Sequence, residues 1–390
     1  MRASPLLRRI QELSTSGDFE LLEKASAKRQ HFVPQFTLRG FAEQDGRNYR
    51  LFQSDITTRR APMRVDAREA ASRRNLYRVR DEKGNLSNRN EGYLALIEEE
   101  AAPALLRLCE SPDDFGIGDR ATVALFLAVQ TMRTPAAAAQ VEAAANAAFR
   151  TYASSEFSDA AGFAERRRSE YPNESHAEIE RLRLDTLDAI RHGRIRITTA
   201  EGGVFGEALR LAVEAMPMLI FCDWTLLHAP TGGFITSDRG MAIVDPTPPF
   251  PWQAETIFGS DSSETIFPLS DSYCLLVRPR GKRCGLRFQD AAAHEVEVCN
   301  LRTLGWADRH LFALRQATLE AVRASARRSP AQVPRPRTYC EVALIEPDPG
   351  DLSLRDENAA RGWPAQVEHP SGEMWDYIVI PTDAPNEVVP

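Results

Sequence analysis

No uncharged apolar run in this chain approaches the roughly 18 residues that a membrane-spanning helix requires, and Met1 to Ile10 has no sustained apolar segment after its charges. Secretion and membrane insertion are therefore not expected, and a cytoplasmic location is. Cysteine is scarce. Cys109, Cys222, Cys274, Cys284, Cys299 and Cys340 are scattered through 390 positions, with no Cys-x-x-Cys and no metal-type grouping with the seven histidines. No metal site is expected, and the cysteines with apolar neighbours fit buried, reduced thiols. A phosphate-cradling glycine loop, a Gly-x-Gly-x-x-Gly after a strand, a Gly-x-Ser-x-Gly elbow and internal repeats are absent as well. The common cofactor and nucleophile templates thus do not apply, and the sequence names no cofactor.

What is present is enough apolar residue, 43% of the chain, for a substantial core. The expected organisation is a lead over residues 1–27, one α+β domain over 28–328, and a Pro/Arg linker with an acidic tail over 329–390. The net charge of −7 hides an asymmetry: residues 1–90 carry +8, and the remainder −15. The basic side is almost all arginine, with Arg59, Arg60, Arg64, Arg68, Arg73, Arg74, Arg78 and Arg80 close together, and arginine suits phosphate forks. A phosphate-bearing ligand or nucleic acid held by Arg59, Arg60, Arg73 and Arg74 is one expectation; pairing with the acids of the same chain is the other. The tail from Glu341 to Pro390 carries −9 and is expected either to lie over the basic N-terminal region or to be mobile.

The most specific local signal is Lys28-Arg29-Gln30-His31-Phe32-Val33-Pro34-Gln35-Phe36-Thr37-Leu38-Arg39-Gly40-Phe41. Pro34 restricts Val33 to extended backbone, so His31 to Val33 should be extended and Gln35 should begin a helical turn seated by Phe36, Leu38 and Phe41. Alternation predicts strands at 48–52 and 74–79. Helical periodicity starts at Asn90, with a kink or break at Pro103. Asp119 is expected to cap a long helix that kinks at Pro135, and further helices are expected over 175–191 and 204–216. A hairpin is expected from 223–228 and 234–238, two more strands near 265–277, a functional loop over 245–263, and a last helix over 300–327 capped by Asn300. The fold class is α+β, a predominantly helical middle packed against a small antiparallel sheet.

His-x-x-Pro-Gln with Leu38 and Phe41 at their offsets resembles the opening of a bacterial family known only as domain of unknown function 4238. Similarity continues through Arg74-Asn75-Leu76-Tyr77, Ile97-Glu98, Gln130-x-x-Arg133-Thr134-Pro135, Ser237-Asp238 and Asn300. The family usually continues Ser-Asp with Asn-Pro-Val, where this chain has Arg239-Gly240-Met241. The resemblance supplies no activity. His-x-x-Pro is also shared with the first strand of His-Asn-His metal nucleases, but the next histidine is His176, so the metal-binding end of that motif is missing.

The residues themselves suggest roles. His31, Glu98 and Asp238 are the candidate catalytic groups, while Gln35, Asn75, Gln130, Arg133 and Ser237 are the candidate substrate-binding groups. Gln130 and Arg133, three apart on an apolar helix, project to one side, and a buried arginine needs an anion. That anion is either a substrate phosphate or carboxylate, or Glu98 or Asp238 in a structural pair. Asn75 and Tyr77 are expected on one strand face. Together these residues point to an intracellular hydrolase-type enzyme acting on a phosphodiester or phosphate-containing substrate, with a nuclease as one form of it. The alternative is a non-catalytic sensor or interaction protein that binds a small anion or a nucleic-acid end.

Overall fold

The computed structural model describes residues 28–80, 84–196, 203–244, 263–279 and 285–330, with shorter pieces nearer both ends. Near the N-terminus, where a helix over residues 5–13 is expected, Leu6, Arg8 to Ile10 and Glu12 are helical and Leu6 is buried in the core; most of the 245–263 loop and most of the linker at 329–337 lie outside the described residues.

The opening stretch folds as its chemistry dictates. Strand β1 (Arg29–His31) leads to Pro34, whose φ of −55° and ψ of 143° set up helix α1 (Gln35–Arg39). Val33, Leu38 and Phe41 are fully buried. Gly40 is required by close approach: a Cβ there would lie 2.4 Å from the Leu269 carbonyl, and the Gly40 carbonyl accepts a bond from the Asp271 N–H. There follow β2 (Glu43–Asp45), β3 (Asn48–Asp55), β4 (Met63–Asp66), β5 (Ser72–Arg74), β6 (Val79–Arg80) and β7 (Leu86–Ser87). Strand β5 pairs with β1, not with a neighbour in sequence. The predicted strand over 74–79 is interrupted because Asn75 has φ of 55°, a left-handed conformation that ends the ladder after Arg74.

The helical part comprises α2 (Arg89–Glu110), α3 (Ile117–Met132), α4 (Pro135–Ser158), α5 (Ala160–Glu170), α6 (His176–Arg191) and α7 (Gly203–Ile220). Helix α2 continues through Pro103, which stands on its exposed side; its opposite face, including Leu94, Ile97, Ala101 and Leu108, is buried. Gly116, not Asp119, is the N-cap of α3, and Asp119 at the third helical position accepts from the Gly116 N–H. At Pro135 the chain breaks instead of kinking: α3 ends at Met132, and Thr134 caps α4 by accepting from the Ala137 N–H. Helix α3 is the buried spine, with Val123 to Gln130 all at or below 1% exposure. It packs between α2 and α7. Its Phe126 ring lies 5.5 Å from Phe36 of α1 and 5.7 Å from Phe267 of a sheet strand, which ties the opening motif to the core.

The remaining elements are β8 (Asp223–His228), β9 (Thr236–Ser237), β10 (Ala242–Val244), β11 (Glu264–Pro268), β12 (Tyr273–Arg278), β13 (Leu286–Asp290), α8 (Ala293–Trp306), β14 (His310–Ala313) and α9 (Gln316–Arg328). One five-stranded sheet has the order β10-β11-β12-β8-β13, antiparallel except that β13 runs parallel to β8. A second has the order β2-β3-β14-β9 with β4 also on β3. The expected hairpin is therefore not formed: β8 pairs with β12 and β13, whereas β9 pairs with β14. Gly232 and Gly233, with φ of 69° and 120°, turn the chain from one sheet to the other. The predicted 300–327 helix is two helices separated by β14. Asn300 sits inside α8, where it accepts from the Ile235 N–H and donates to the Gly233 carbonyl. Within the tail, β15 (Cys340–Ile345) pairs with β17 (Met374–Pro381), which also pairs with β16 (Val367–Glu368). Strand β15 runs beside α4, not over the basic N-terminal region.

Candidate active site

Arg133, in the first residue after α3, is the hub. It is 3% exposed, and desolvating a guanidinium without partners would be prohibitive. Its Nη1 donates to Glu98 Oε1 at 2.6 Å, its Nη2 to the His31 carbonyl at 2.5 Å, and its Nε reaches the Tyr77 hydroxyl at 3.5 Å. Tyr77 returns the contact by donating its hydroxyl to the Arg133 carbonyl at 2.7 Å. Of the two anionic partners expected from sequence, Glu98 is thus the one Arg133 holds. Glu98 is 27% exposed at its side chain, so this pair reaches from the interior to solvent.

Two turns before Glu98 on the same face of α2 stands Glu91, which the sequence reading passed over. Its Oε2 is buried and has no hydrogen-bond partner. Burial pushes the Glu91 carboxyl up to about 7; the Arg133 charge opposes this and the Glu98 charge adds to it. Burial thus makes Glu91 a carboxyl that keeps its proton to near neutral pH. The seven-residue spacing puts Glu91 and Glu98 on one face of α2, but nothing local in the sequence shows that this face is covered at Glu91.

His31 lies at the end of β1, partly buried. Its Nε2 donates to the Arg68 carbonyl at 3.1 Å, an assignment that leaves Nδ1 as the basic nitrogen, 3.5 Å from Gln35 Nε2. Burial lowers its pKa, opposed by the Arg68 carbonyl and reinforced by the Arg133 and Arg29 charges, so the ring is neutral near pH 7. Gln35 is in turn held by Arg39, whose Nη2 donates to Gln35 Oε1 at 3.3 Å. Arg133 therefore gathers Glu98, Tyr77 and the His31 carbonyl, with the Glu91 carboxyl nearby, while the His31 ring itself lies against Gln35 and the Arg68 carbonyl.

Gln130, Ser237 and Asp238 form a neighbouring, more closed group. The fully buried Gln130 donates through Nε2 to the carbonyls of Phe32 and Arg239, at 2.9 and 3.1 Å, and so ties the opening motif to the turn after β9. Gly240 in that turn has φ of 75°, and a Cβ on it would come 2.9 Å from Gln130 Nε2. Asp238 is 5% exposed; Oδ1 accepts from the Asp308 N–H, and Oδ2 from the N–H groups of Arg309 and His310. Burial pushes its carboxyl up to about 6, assisted by the Asp308 charge and opposed by those three N–H groups. Through these three N–H groups Asp238 clasps the β9 and β14 ends, with the His310 imidazole 3.8 Å from Oδ2. Ser237 is buried and accepts from the Arg239 N–H. Asn75 stands apart, exposed at the end of β5, and does not share a strand face with buried Tyr77.

The arginines divide in the same way. Arg64 pairs with Glu43, Arg68 with Asp66, and Arg78 donates to Asn88. Arg59 and Arg60 are exposed beyond β3, where Arg323 of α9 donates to the Arg60 carbonyl. Arg73 and Arg74 are exposed on β5. Among the described residues, no three His, Cys, Asp or Glu side chains gather as a metal cage, and no helix is long and apolar enough to cross a membrane.

Fold and site together define an α+β protein in which an extended His-Pro opening is clamped to a buried helix by a glutamine and an arginine. The chain belongs to the family described as protein of unknown function (DUF4238), whose model matches residues 29–317. The match begins in β1 and ends at the second residue of α9, so most of α9 and the C-terminal sheet lie beyond it. No curated protein and no solved structure matches the chain.

Proposed function

We propose that this protein is a hydrolase-type enzyme acting on a phosphodiester or phosphate-containing substrate, with Glu91 as general acid and His31 as general base. The observation that carries this is a protonatable carboxyl, Glu91, with an unbonded oxygen beside the solvent-reaching Glu98–Arg133 pair. In the reaction, water oxygen attacks phosphorus as His31 Nδ1 takes its proton; the bond from phosphorus to the leaving oxygen breaks as Glu91 gives that oxygen its proton. Arg133, donating to Glu98 and to the His31 carbonyl, acts through them as a positioning residue. Asp238 belongs to the scaffold in this scheme.

The test is turnover of a chromogenic phosphodiester and a chromogenic phosphomonoester by wild type, Glu91→Gln and His31→Gln. Wild-type turnover should fall as pH rises past about 7, where Glu91 loses its proton. Glu91→Gln should lower kcat by about 100-fold or more, with its urea midpoint near pH 4 unchanged. Full activity in Glu91→Gln, or no turnover of either probe by wild type, would remove the hydrolase and leave a non-catalytic anion-binding protein.

A further inference from the structure

The β1–β5 ribbon contains an arrangement that folding alone does not account for. Arg29 lies directly opposite Arg74 in the antiparallel register, and both are exposed. Like charges directly opposite on a ladder repel, and among the described residues no carboxylate pairs with either. Because strand side chains alternate, Arg29 and Arg74 share a face with His31 and Ser72, about 7 Å along the strand. Arg73 is opposite Gln30 and so belongs to the other face. Beyond His31 the positive line continues through Gln35 to Arg39, whose guanidinium also lies 4.8 Å from the Tyr49 ring centre.

We propose that this face is a track for a phosphodiester strand, with Arg29 and Arg74 gripping one phosphate and Arg39 a further one, so that the strand passes over His31. The proposal deepens the hydrolase reading by making its substrate a single-stranded nucleic acid. A strand is favoured over a free phosphate because these guanidiniums are solvent-exposed and each contributes little alone; a strand engages several at once. It is favoured over a duplex because the exposed arginines of this face, Arg29, Arg74 and Arg39, form one line past His31, and a single positive line tracks one backbone.

The experiment is fluorescence anisotropy of a labelled oligothymidylate across a salt series, with wild type, Arg74→Glu, Arg29→Gln, Arg73→Glu and Glu91→Gln. Arg74→Glu should weaken binding about tenfold and reduce the slope of log affinity against log salt by about 1.4. Arg29→Gln should act in the same direction with about half that slope change. Arg73→Glu, an equal charge change on the opposite face, should cost less than about threefold. Glu91→Gln should bind as wild type does. Equal weakening by Arg73→Glu and Arg74→Glu, equal competition by poly-glutamate per charge, or tighter binding of duplex would overturn the track. Retained turnover by Glu91→Gln with intact binding would instead remove the proposed chemistry and leave the track standing.

Discussion

Glu91 shows how much at the residue scale depends on surroundings that a linear pattern does not display. The Ile-Glu-Glu-Glu stretch drew attention to Glu98, and Glu98 does pair with Arg133. Glu91 has neighbours of ordinary polarity in sequence, and only the packing of α2 against Arg133 and Tyr77 buries its oxygen. The consequence for stability has a definite sign. In the unfolded chain the carboxyl ionises near its ordinary value of about 4.3, and in the folded protein it holds its proton up to about 7. Below that window it is protonated in both states; through the window the unfolded state alone gains from ionisation, so stability falls as pH rises. Glu91→Gln cannot ionise. In urea unfolding the variant should match wild type near pH 4 and exceed it by about 3 to 4 kcal/mol at pH 8, whereas a difference that stays constant with pH would mean that Glu91 is solvated like any surface glutamate.

At the scale of elements, what was legible was whatever local backbone chemistry decides. Pro34 set the start of α1, Ser175 capped α6 with Glu178 completing the box, and the apolar face of α2 was readable from Tyr93 to Leu108. Strand partners were not legible. The β8 and β9 segments have the composition of a hairpin, yet the backbone groups between them find a long-range partner in the Asn300 side chain, which takes both the Ile235 N–H and the Gly233 carbonyl. A side chain 65 residues away in sequence thus replaces the ladder expected between neighbours. The same blindness hid the pairing of β5 with β1, and with it the opposition of Arg29 and Arg74. Asn300→Ala should therefore act far beyond helix capping. Two buried backbone groups lose their partner, at about 2 to 4 kcal/mol in urea unfolding, and a loss below about 0.5 kcal/mol would show that Asn300 contributes no more than a surface residue does.

At the scale of the whole molecule the sequence separates its charges, and the placement of β15 bears on how the tail acts. The first 90 residues carry +8 and the tail −9, a distribution that invites an acidic cover over a basic face. The tail's strand β15 lies along α4, whose alanines Ala136, Ala137, Ala143 and Ala153 are buried. An alanine-rich helix has little side-chain bulk with which to fill its own surroundings, so a strand laid beside it supplies packing that α4 lacks. Deleting residues 340–390 should accordingly lower the melting temperature by about 2 to 4 °C for each kcal/mol of packing lost. Oligonucleotide affinity at physiological salt should meanwhile stay within about twofold of wild type, because exposed charges more than about 8 Å apart are screened there. An unchanged melting temperature together with affinity raised about tenfold would establish the opposite arrangement, in which the tail competes with phosphate for the arginine face and regulates it.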